Sequence, residues 1–153
     1  MRDDFNEGVN RIVAARVSYL CSNPVCETAT TGPQADPSKS LNIGVASHIL
    51  AASPGGPRYN ERLTPKERTC HQNAIWLCQN CAKLVDNDEQ RFTERVLIEW
   101  KRNAEAMALL RIGRTAKQTD PDQERFSDEE LVILLNCAVK GDIVLLVSDE
   151  SVN

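Results

Sequence analysis

Aromatic residues are scarce in this chain: three Phe, two Trp and two Tyr make up 5% of 153 positions, against 26% charged residues. So few large side chains bury limited apolar surface, and a chain of about one domain's length then benefits from an additional staple. Long apolar runs are also lacking. No stretch approaches the roughly 20 consecutive apolar residues of a membrane span, so no membrane partner is expected. The opening MRDDFNEG has neither the basic start nor the apolar run of a signal peptide, and the expectation is a cytoplasmic protein. A basic excess is missing as well, since the net charge is −4. Residues 1–112 carry 14 Lys and Arg against 13 Asp and Glu, whereas residues 113–153 carry 4 against 9. The acidity belongs to the tail. Such a balance gives no support for tight non-specific nucleic-acid binding, yet it leaves room for a local basic face on the body.

What the chain does have is six cysteines. In a reducing compartment, clustered cysteines are better read as metal ligands than as disulfides. Cys21 and Cys26 flank SNPV, and Cys78 and Cys81 flank QN. Two such knuckles supply four thiolates, the complement of a closed tetrahedral Zn²⁺ site with no open position for water or substrate. The zinc is therefore expected to be structural, and any catalysis must use other residues. Cys70 and Cys137 lack a knuckle partner and read as buried free thiols.

Apolar residues at Val9, Ile12, Val13, Val17 and Leu20 predict a helix over 5–20. Residues 21–40 read as a loop anchored at its cysteines, LNIGVASHI at 41–49 as a strand, and ASPGGPRYNERL as an irregular excursion. Thr64, Pro65 and Glu67 supply the N-cap, N1 proline and capping-box acid of a helical turn. AIWLC at 74–78 predicts a second strand, QNCAKLVDND a short helix, and residues 93–110 a longer one. The domain reading is a body at 1–112, a polar linker at 113–125, and a helix–strand appendage at 126–153. That final strand needs a sheet to pair with, so the expectation is either a longer protein or pairing with a second copy.

The order of these features, VASHI at 45–49, GGPRYN at 55–60 and NAIWLCQNC at 73–81, resembles the HNH endonuclease family. The wording is similar to HNH nuclease modules fused to sensor domains in bacterial anti-phage defence. The resemblance implies an α+β, ββα-metal fold that hydrolyses DNA phosphodiester bonds with Mg²⁺ or Mn²⁺, alongside the zinc knuckle and flanking helices. It implies His48 as general base and Asn73 as the residue orienting His48 across the strands. Two positions depart from the pattern: Ser47 stands where an acid or histidine commonly binds the cation, and Ala82 stands where the third histidine belongs. Asp86 lies four residues after Ala82 on the same helical face and becomes the expected cation ligand, with Asn60 and Asp88 as further candidates. His71 reads as a surface or partly buried residue. Arg58, Lys66 and Arg68 are candidate phosphate contacts, although charges scattered on a loop are usually just solvated. DNA is the expected partner, a homodimer the expected assembly for cutting both strands, and a C-terminal sensor domain the expected regulator. The competing readings are a catalytically inactive HNH-like module for DNA binding or assembly, and a zinc-knuckle interaction protein in which His48 is structural.

Overall fold

Helix α1 spans Glu7–Arg16, starting where the Asn6 side chain accepts a hydrogen bond from the Val9 N–H at 2.9 Å. It stops short of Leu20 because Ser18 and Tyr19 take left-handed backbone conformations, with φ of 53° and 59°. The structure, a computed structural model, describes residues 2–113. The chain divides into two compact units, Met1–Thr115 and Ala116–Asn153. The expected appendage at 126–153, Cys137 and all of the expected linker beyond Gly113 lie outside the described residues.

The first unit is an α+β arrangement of short antiparallel strands and helices. Strand β1 (Thr31–Pro33) pairs with β2 (Ser40–Asn42), inside and just beyond the stretch expected to be loop. The strand expected at 41–49 is therefore two strands. The Asn42 side chain accepts from the Gly44 N–H, and Ile43 donates to the Thr30 carbonyl, so the chain kinks between them. Strand β3 (Gly44–His48) then pairs antiparallel with β4 (Ala74–Cys78), setting Gly44 opposite Cys78 and His48 opposite Ala74. Only glycine fits at 44, because a Cβ there would sit inside the Trp76 indole.

Every residue of β4 is buried, and its alternation explains why. Ala74 and Trp76 face α1, packing with Val13, Ala14 and Val17, while Ile75 and Leu77 face the opposite cluster with Val85, Phe92 and Leu97. A strand covered on both faces reads as a continuous apolar run. Helix α2 (Pro65–Arg68) carries the complete Thr64–Glu67 capping box. Helix α3 (Gln79–Asn87) follows β4 without a break, and α4 (Glu94–Arg111) begins at the Thr93 cap and buries Leu97. Lys101 of α4 donates to the carbonyls of His71, Gln72 and Ala74, tying a short 3-10 turn at His71–Asn73 to the start of β4.

Candidate functional site

The two knuckles converge. One ligating atom from each of Cys21, Cys26, Cys78 and Cys81 lies within 4.8 Å of every other, and Cys26 Sγ is 3.9 Å from Cys78 Sγ. Four sulfurs bound tetrahedrally at about 2.3 Å from one ion would sit about 3.8 Å apart, so the cluster has the size of a single-ion cage. Local structure holds it in place. Cys78 is the N-cap of α3 and accepts from the Cys81 N–H, while the Asn23 amide donates to Cys81 Sγ at 3.3 Å. Burial pushes the Cys21 and Cys81 thiols up, Cys81 to about 11, whereas hydrogen bonding by Thr28 brings Cys26 down to about 7. Buried thiols pushed up in this way become thiolates when a cation neutralises them, which is the chemistry of a metal cage. Cys70 stands apart, partly buried, its S–H donating to the Glu67 carbonyl.

Between the end of β3 and α3 lies a cavity of about 740 Å³, whose walls include Ser47 and His48 of β3, Ala82, Lys83 and Asp86 of α3, and Arg2. The end of β3 and the exposed face of α3 meet there because Cys78 joins β4 to α3 directly. His48 is half-buried. Its ring stacks on Phe5 with centroids 3.8 Å apart, and its Nε2 lies 3.0 Å from the Asp3 carbonyl oxygen. Burial holds its pKa below the ordinary imidazole value, opposed by the hydrogen bond to Asp3. Asp86 is half-exposed, with Oδ1 taking a hydrogen bond from Arg58 at 2.9 Å.

Several expected site residues sit elsewhere. The Asn73 side chain does not reach across the strands to His48. Its amide donates to the carbonyls of Leu50 and Arg68, and its oxygen accepts from the Leu50 N–H at 2.8 Å. Asn73 thus fixes the backbone two residues beyond His48 and lines a different cavity, along with Lys66 and Cys70. Arg58 is not available to a phosphate. Its side chain is only 6% exposed, and it donates to the carbonyls of Ile49, Val85 and Phe92 as well as to Asp86. Arg68 is engaged too, paired with Asp3 at 2.8 Å and lying over the Tyr59 ring. Lys66 is exposed on α2, away from His48. Asn60 accepts from the Arg62 N–H and Arg68, and Asp88 pairs with Arg91, so neither faces the His48 cavity. His71 is exposed.

The cations that do line the cavity, Arg2 and Lys83, were not among those expected. Helical spacing could have found Lys83, which is one turn from Asp86. Nothing in the periodicity of an extended N-terminal segment signals Arg2. Apart from the cysteine cage, the described residues bring no three His, Cys, Asp or Glu ligating groups together. No family model matches the chain, and no curated protein matches it at a significant level.

Proposed function

We propose that the chain is a metal-dependent HNH-type endonuclease with a ββα-metal fold, in which the four cysteines hold a structural Zn²⁺. The reading rests chiefly on one juxtaposition: His48 at the end of a strand and Asp86 on the following helix border a single open cavity. The resemblance of VASHI, GGPRYN and NAIWLCQNC to HNH modules of anti-phage defence effectors adds the reaction class. Asp86 is the protein group that would hold the divalent cation. Mg²⁺ commonly takes only one or two carboxylates and fills its other positions with water and substrate phosphate, so a lean donor set suits it. When bound, that ion supplies charge stabilisation at the phosphate.

The chain's own groups do the rest. With its pKa held below the ordinary imidazole value, His48 is mostly neutral at pH 7 and able to take a proton from water. The water oxygen then bonds to phosphorus as the bond to the leaving oxygen breaks. Arg2 and Lys83 flank the cavity and suit the negative charge of a DNA backbone. A homodimer would provide the two sites that a double-strand cut requires, and a sensor domain following the body would gate it.

A second reading has specific support. Ala82 offers no ligand, and Arg58 already engages the Asp86 carboxylate, as in a catalytically inactive module for DNA binding or assembly. Plasmid DNA incubated with the protein and Mg²⁺ or Mn²⁺ discriminates between them. Metal-dependent cutting that His48→Ala and Asp86→Ala each abolish, with both variants still folded, is expected. Cutting should decline as pH falls, with its midpoint below that of an ordinary imidazole, because the lowered pKa keeps the base unprotonated to lower pH. Cutting that survives His48→Ala, or none by any metal-loaded form, would favour the second reading.

A further inference from the structure

The N-terminal segment ahead of α1 belongs to neither the strand pair nor α3, yet it is tied to the chain beyond β3 and to α2. The Asp3 N–H donates to the Ala52 carbonyl at 3.1 Å, beyond the end of β3. Its carboxylate accepts from Arg68 Nε at 2.8 Å, in an ion pair whose side chains are only 22% and 12% exposed. Arg68 is itself fixed by the Asn60 carbonyl and the Tyr59 ring. The segment so anchored presents two groups to the imidazole: the Asp3 carbonyl at 3.0 Å from Nε2, and the Phe5 ring stacked 13° from parallel.

A carbonyl oxygen can only accept, so the ring nitrogen facing it must carry the hydrogen. In a neutral imidazole the other nitrogen, Nδ1, then holds the free lone pair. From this we infer that the Arg2–Phe5 segment is a positioning element: the Asp3 carbonyl and Phe5 ring lock His48 as the Nε2–H tautomer in one orientation, with Nδ1 as the proton-accepting atom. Arg68 acts one step further out, as the anchor of Asp3. The catalytic consequence rests on the nuclease reading above, while the tautomer does not.

The chain has two histidines, so His48→Ala assigns the imidazole signals of the full-length, metal-loaded protein by a single subtraction. Nitrogen-15 spectra at a pH where His48 is neutral are expected to show a protonated Nε2 and a bare Nδ1. A neutral ring protonated at Nδ1, or averaging between tautomers, would overturn the inference. Deleting residues 2–5 should then turn the His48 signals into a tautomer mixture, and Arg68→Gln should do so partially. If DNA is cut, the deletion should lower kcat by about tenfold or more, in the range lost when a general base is misplaced, and raise KM as well because Arg2 is lost with the segment, whereas Arg68→Gln, which keeps Arg2, should lower kcat with KM little changed. The locked tautomer without any DNA cutting would sink the nuclease reading alone. Unchanged signals and unchanged kcat in a folded deletion variant would sink the positioning role.

Discussion

Arg58 shows how a residue type can mislead about its task. Its left-handed backbone, φ 56°, turns the loop so that the guanidinium points inward rather than toward solvent. There it donates to Ile49, directly after His48, and to Val85, directly before Asp86. One side chain therefore sets the spacing between the two groups that border the cavity. Lysine cannot reproduce this, because a single ammonium lacks the planar fork that reaches several acceptors at once. Arg58→Ala is expected to cost about 3 kcal/mol, since it strands buried carbonyls that water cannot easily reach. Arg58→Lys should recover only a minor part of that. Urea unfolding of the metal-loaded protein measures both, and a loss below about 1 kcal/mol for Arg58→Ala would be the signature of a solvated surface arginine instead.

At the level of elements, the sequence was most legible where local chemistry alone decides the outcome. The capping box at Thr64, the strand Ala74–Cys78 and the helices on either side of Phe92 follow from caps and apolar spacing within a few residues. The β1–β2 pair was illegible because its stability comes from a partner strand and from Thr30, not from any alternation in TGP or SLN. The cysteine cage was readable because knuckle spacing is a short-range signal. The true partners of Asn73 and Arg58 were not, since each lies many residues away through a loop. That cage also ties the turn after α1 to the end of β4 and the start of α3. Stripping the metal with a chelator is therefore expected to unfold β3, β4 and α3 together, at a cost of several kcal/mol, rather than to fray one loop. Circular dichroism melts with and without chelator, repeated on Cys81→Ser, test this. A melting temperature indifferent to chelation would mean that the apolar clusters around β4 suffice without an ion.

For the whole molecule the decisive quantity is how charge is divided between its two parts. The body has 14 basic and 13 acidic side chains within residues 1–112, and several of its arginines are already committed to internal partners. Of the cations that stay exposed, Arg2 and Lys83 line the His48 cavity, and Arg2 is paired there with Asp4 at 2.6 Å. The remaining 41 residues carry 4 basic against 9 acidic side chains, and they repel a polyanion. A fragment ending at Thr115, the boundary of the first compact unit, should fold with the same melting temperature as the full chain. On the nuclease reading proposed above, the fragment, freed of the acidic remainder, should bind duplex DNA about three- to tenfold more tightly at low ionic strength, where the Debye length exceeds about 10 Å. The advantage should shrink toward nothing as salt rises, because it reflects long-range repulsion rather than any lost contact. Fluorescence anisotropy across a salt series reads both the difference and its decay. A gap between fragment and full chain that persisted at high salt would rule out long-range repulsion as its cause.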